Sequence, residues 1–173
     1  MGAFFTNVHV SVPNTPPPAA IQVLRQRISK RILKGPYRLA GPGDIPDRTV
    51  VIVPDRASGW YVILDEDSES MDPKVLEDLA APLSYHPVAA SISVAVADSD
   101  SFHLALYRDG ARADSVSVGS GRHRALNREA WAHILSSRHI DEGNAALRAE
   151  SAFAEDCLQT IARVFGWHEE MAF

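Results

Sequence analysis

A single cysteine, Cys157, is all the thiol chemistry the chain holds. No internal disulfide can form, and a zinc site built on thiolates is excluded. No apolar run approaches the roughly 20 residues that a membrane-spanning helix needs. The first residues, Met1-Gly2-Ala3-Phe4-Phe5, lack the basic stretch of a signal peptide. Together these absences set the expectation of a cytoplasmic protein with no membrane partner. An excess of basic charge is missing as well: the net charge is −5 and the pI about 5.8. Nucleic-acid-binding domains are usually basic with interleaved aromatics, so nucleic acid is not an expected partner.

Catalytic signatures are equally scarce. No Gly-Lys-Ser/Thr closes a phosphate-binding loop, no Gly-x-Ser-x-Gly elbow is present, and none of the seven histidines stands in H-x-x-x-H spacing. No cofactor and no metal site are expected. Cys157 falls on an apolar helical stripe and reads as a small buried hydrophobe, not a nucleophile.

What is present is patterning. From His86 to Gly119 three runs alternate apolar and small or polar residues: Ile92/Val94/Val96, Phe102/Leu104/Leu106 and Val116/Val118. Period-2 alternation marks strands buried on one face. Asp109-Gly110 between the last two is a hairpin signal, because both turn positions need positive φ. The opposite face carries Ser91, Ser93, Ala95, Ala97, Ser115 and Ser117, too small and too uncharged for an ordinary solvent face. Something is therefore expected to approach it closely: a C-terminal helix, a second subunit or a partner.

Upstream, Phe4 to Val12 alternates and reads as a strand. A helix follows, with Thr15 as its expected cap and Ile21, Leu24, Ile28 and Ile32 as its apolar stripe, stopped by Gly35-Pro36. The β-branched run Thr49 to Val53 reads as a central strand covered on both faces. Trp60 to Leu64 is the next strand, and an acidic loop over 65–72 leads into a helix capped by Asp72 and ended near Pro82. Beyond Gly121 the pattern turns helical. A short helix capped by Asn127 is expected, and a last one from about Ser151 to Phe165 with Gly166 as its stop.

The expected fold is α+β. Its first six elements follow the β-α-β-β-α-β order of ferredoxin-like folds. A two-strand antiparallel meander extends the sheet, and the C-terminal helices cover one face. One domain spans 1–173, with a sheet core over 1–119 and a helical extension over 120–173 packed on it.

Two charged segments are candidate partner-binding surfaces. The first helix carries Arg27, Lys30, Arg31 and Lys34 on one face. The acidic loop carries Asp65, Glu66, Asp67, Glu69 and Asp72, without the glycine and terminal glutamate of a calcium loop. The first 60 residues hold eight Lys or Arg against three Asp or Glu, and the remainder nine against nineteen. Such a split can steer a partner. A third candidate is Gly119-Ser120-Gly121-Arg122-His123-Arg124, where glycine backbone amides and flanking cations suit an anionic ligand. His9 and His103 are expected on the polar sides of their strands, close enough to pair if those strands are neighbours. His123, His133 and His139 are the one histidine set that folding can bring together.

The leading functional expectation is a non-enzymatic protein-interaction module, an adaptor, inhibitor or immunity-type protein, with a homodimer through sheet face or edge as one of its forms. The alternative is a small-molecule or anionic-ligand-binding domain, or an enzyme, with its site near Gly119–Arg124.

Overall fold

The structure is a computed structural model that describes residues 4–55, 58–85, 88, 90–97, 100–119, 125–149 and 154–167. The strands are β1 (Phe4–Ser11), β2 (Val50–Pro54), β3 (Trp60–Asp65), β4 (Ala90–Ala97), β5 (Ser101–Arg108) and β6 (Ala111–Val118). The helices are α1 (Pro17–Ile32), α2 (Pro73–Leu83), α3 (Arg128–Trp131), α4 (Ser137–Arg148) and α5 (Ala154–Phe165), with a 3-10 turn over Glu66–Ser70. The fold is α+β. All six strands join one sheet in the order β2-β3-β1-β4-β5-β6, and each neighbouring pair runs antiparallel.

Local chemistry accounts for most boundaries. Asp109 and Gly110 sit at φ 51° and 80°, the two positive values a tight hairpin needs. Asp72 accepts the Lys74 N–H at 2.8 Å and Pro73 opens α2, so the orphan donors of its first turn are met. Pro82 lies inside the last turn of α2, one residue before the end. At α1 the expected Thr15 cap is not formed. Pro16 holds the cap position, and the Thr15 hydroxyl turns back to the Pro13 carbonyl at 3.2 Å. Prolines at the helix start leave fewer N–H groups for a cap to satisfy.

Helices cover both faces of the sheet, where the sequence pattern led us to expect one. The reason lies in β1, which is apolar on one face and closed on the other by aromatic contacts. Val8, Val10 and Val12 meet Leu24 and Ile28 of α1 and Leu76, Leu79 and Leu83 of α2. On the opposite side the Val/Ile/Leu face of β4, β5 and β6 buries against Trp131, Ile140, Leu147, Leu158, Ile161 and Phe165 from α3, α4 and α5. The Ser/Ala face of the meander is thus covered by the chain itself over β4, and by α2 rather than by the C-terminal helices. Ser91 and Ser93 are buried there, and Ser93 hydrogen-bonds the Tyr107 hydroxyl. Small side chains let the helix approach closely.

His9 faces the C-terminal layer and is fully buried. Its ring stacks on Trp167 with centroids 3.6 Å apart and planes 11° from parallel. Trp167 is delivered there by the end of α5. Gly166 adopts φ 70°, and the Trp167 N–H reaches back to the Ala162 carbonyl at 2.9 Å, which reverses the chain onto the sheet. Trp60 and Phe165 pack edge-on against the same indole. Neither His9 nitrogen has a hydrogen-bond partner among the described residues. Burial pushes the His9 pKa down to about 3, opposed only in part by the charge of Asp55. His103 lies on the other face, hydrogen-bonded through Nδ1 to Ser117 at 2.8 Å, and β4 separates its strand from β1. The expected pairing of His9 with His103 is therefore ruled out.

Because the folded state cannot protonate His9 until about pH 3, while the unfolded chain does so near pH 6.5, stability is lost as pH falls through that window. Each pH unit there costs at most about 1.4 kcal/mol. Urea melts at neutral pH and about two units below the ordinary histidine value should show the wild type losing about 2 kcal/mol more than His9→Phe. Equal losses would mean that the imidazole is not held neutral.

Candidate interface at the free edge of the sheet

The run Thr49 to Val53 forms β2, as its β-branched residues dictate, but at the edge of the sheet and not at its centre. The Asp55 N–H bonds the Trp60 carbonyl at 2.8 Å, and the Glu66 N–H bonds the Thr49 carbonyl at 3.1 Å. Alternation along an antiparallel ladder then turns residues 49, 51, 53 and 55 toward β3 and residues 50, 52 and 54 outward. Among the described residues, the N–H and C=O of Val50 and Ile52, and the carbonyl of Pro54, form a free edge. No residue of β2 belongs to the core beneath α3, α4 and α5, and Val51 and its cross-strand neighbour Leu64 are 46% and 43% exposed.

The two edges of the sheet differ. β6 carries Arg112 and Asp114, and a register shift falls between Leu106 and Tyr107 where β5 pairs with it. Edge charges and bulges are the usual guards against strand-to-strand association. β2, VVIVP, carries no charge. Its one guard is Pro54, which removes a donor at the end of the strand.

Beside β2 a cleft of about 370 Å³ opens between α1, the loop over 33–48 and the strand. Ile28 and Ile32 of α1 and Val50 and Ile52 of β2 supply its apolar walls. Five charged residues line it: Arg25, Arg38, Asp44, Asp47 and Arg48. Arg38 pairs with Asp44 at 3.0 Å. Arg48 grips Asp65 through Nε at 2.8 Å and Nη2 at 2.5 Å, and Asp67 through Nη1 at 2.6 Å. Its guanidinium also lies over the Tyr37 ring, 5.4 Å from the centroid. Arg25 and Asp47 have no ion-pair partner among the described residues. On the other side of β2 a shallower recess takes in Phe5, Val51, Leu64, Glu66 and Glu69.

The residues singled out from sequence are dispersed over this frame. Arg27 donates to the Tyr85 and Leu83 carbonyls at 2.6 and 3.3 Å, and Arg31 pairs with Asp78 at 2.9 Å. Both clamp α1 to α2, while Lys30 and Lys34 stay exposed. In the acidic segment, Asp65 and Asp67 hold Arg48, the Glu66 carboxylate accepts the Thr49 N–H at 2.9 Å, and Asp72 caps α2. Glu69 remains exposed at the recess.

Gly119 is required sterically: φ is +101°, and a Cβ there would lie 2.5 Å from the Ser101 Cβ. Ser120, Gly121, Arg122, His123 and Arg124 lie outside the described residues. Among the described residues no group of three His, Cys, Asp or Glu side chains is placed to hold a metal. Cys157 is buried and its thiol is pushed up to about 11 by burial.

The edge residues Val50, Ile52 and Pro54 were not among the sequence candidates. The signal that marks them is the proline closing the β-branched run, since proline confines a strand to an edge. Comparison with protein-family models, curated proteins and solved structures gave no match to this chain.

The Arg48 clasp fixes where β2 begins, because the Asp65 carboxylate is fully buried and has no other cation among the described residues. Removing the cation strands a buried charge. Arg48→Met should cost about 3 kcal/mol in urea denaturation. Adding Asp65→Asn should recover part of that loss; a double variant no more stable than the single would refute the charge argument.

Proposed function

We propose that the chain is a non-enzymatic intracellular protein-interaction module that works by strand addition at β2. The observation that carries this reading is the contrast between the two sheet edges: β6 is guarded by charge and irregularity, and β2 is open, with apolar side chains on both of its faces. Backbone groups at such an edge supply affinity, and alternate side chains falling into flanking depressions supply specificity. Val50 and Ile52 present to the cleft and Val51 to the recess, so an added strand meets apolar side chains of β2 above and below, rimmed by charge. An adaptor or an inhibitor both fit this chemistry.

The fold reading is of the same kind. The strand order β2-β3-β1-β4 with α1 and α2 on one face supports a ferredoxin-like unit, to which β5 and β6 add a meander. A cytoplasmic location is supported by the free, buried Cys157 and by the absence, among the described residues, of a helix long and apolar enough to cross a membrane.

A lysine on an edge strand blocks pairing without touching the core. Val51→Lys, at an exposed side chain, should keep the melting temperature within a few degrees. In affinity capture from native lysate, quantified by mass spectrometry, the variant should lose polypeptides that the wild type retains, further copies of the chain included. Identical sets captured by a folded variant would overturn strand addition.

A further inference from the structure

We infer that the polypeptide that pairs with β2 is a second copy of this chain, added antiparallel about a two-fold axis and locked by reciprocal ion pairs between Arg25 of each copy and Asp47 of the other. The inference rests on the reading of β2 as a strand-addition edge and names the partner.

Direction comes first. β1 and β2 both run antiparallel to β3, so they run parallel to each other. The helix between them must therefore run back the other way, with its start near the Pro54 end of β2 and its finish near the Val50 end. Arg25 lies about one turn before Ile28 and Ser29, toward the Pro54 end. Asp47 precedes β2, at the Val50 end. The two unpaired charges of the cleft thus have opposite signs and are offset along the strand, Asp47 before its Val50 end and Arg25 beside its middle, on the Pro54 side of Ile28.

A two-fold axis pairs identical strands antiparallel. The Val50 end of one copy then lies beside the Pro54 end of the other. Each Asp47 is carried past the middle of the opposite strand, toward the other copy's unpaired Arg25, and the exchange happens twice. The remaining charges of the cleft, Arg38, Asp44 and Arg48, are already satisfied within the chain. With the axis at Val51, the N–H of Val50 meets the carbonyl of the opposite Ile52, and the N–H of Ile52 the carbonyl of the opposite Val50. Every outward donor of β2 is used, and Pro54 is asked for none. An unrelated apolar strand would satisfy the backbone but leave both charges open.

The arrangement also closes. β6, at the far edge, is guarded by Arg112, Asp114 and its irregular register, so the paired sheet of twelve strands ends on two blunted edges instead of growing into a filament.

The test uses the full chain in size-exclusion chromatography with light scattering over a range of concentrations. The wild type should be a dimer. Arg25→Glu and Asp47→Arg, both at exposed positions, should each weaken the dimer by about tenfold or more, since each replaces two attractions with two repulsions. Mixing the two variants in equal amounts should restore dimers at near wild-type affinity. In that mixed pair one of the two contacts carries the native ion pair and the other the same pair reversed. A purely structural role for either residue predicts no such rescue in trans. A wild type that stays monomeric at millimolar concentration overturns the inference, as does a dimer that both variants leave unchanged. If the chain is monomeric but Val51→Lys still strips captured polypeptides, the second copy is refuted and strand addition at β2 stands. If Val51→Lys also captures what the wild type captures, both readings fall.

Discussion

β1 pairs with β3 on one side and with β4 on the other, and helices press on both of its faces. Few strands are so enclosed with so polar a sequence. Val8 and Val10 suit the face beneath α1 and α2. Asn7 and His9 occupy the other face at 2% and 0% exposure. A buried imidazole without a partner is tolerated only when neutral, and the Trp167 indole lies flat upon it, filling the space where solvent would enter. The position of α5, the turn at Gly166 and the packing of Trp60 all follow from the need to close that face. Neighbouring parts of the molecule then inherit their places from β1.

Charge in this chain is spent largely on holding its own parts together. The cations that looked like a free basic face divide into two that join α1 to α2 and two that remain in solvent. The acidic segment likewise divides: two carboxylates anchor Arg48, a third meets the backbone at the start of β2, and a fourth caps a helix. Clustered like charges in a sequence describe composition along the chain. Folding determines which of them still face outward.

How much was legible beforehand follows from which signals are local. Period-2 alternation located β1, β4, β5 and β6, and the hairpin at Asp109-Gly110 was read from two residues. Asp72, Asn127 and Gly166 act as the caps and stop that local chemistry assigns them. Position within the sheet is not local. A continuous β-branched run looks the same whether a neighbour strand lies on one side or on two, so β2 was misplaced at the centre. His9 misled for a related reason: alternation separates the two faces of a strand but does not say which of them is wet. α4, with Ser136 as its cap, was absorbed into a general helical tail because its apolar positions, Ile140 and Leu147, are few and widely spaced.

The place of Trp167 in the chain has a consequence for how the protein is made. β1 leaves the ribosome before the other five strands, and the partners of its α1/α2 face have all emerged once β5 is complete. Its other face waits for a residue nearly sixty positions further on. At translation rates of roughly 5–20 residues per second that interval lasts roughly 3–12 s. During it the stripe of Ile92, Val94, Phe102, Leu104 and Leu106 is covered only as α3, α4 and α5 arrive in turn, and His9 stays open to water to the end. The nascent chain is most vulnerable to misassociation at that stage, and the tryptophan that ends the exposure arrives only after all six strands are made.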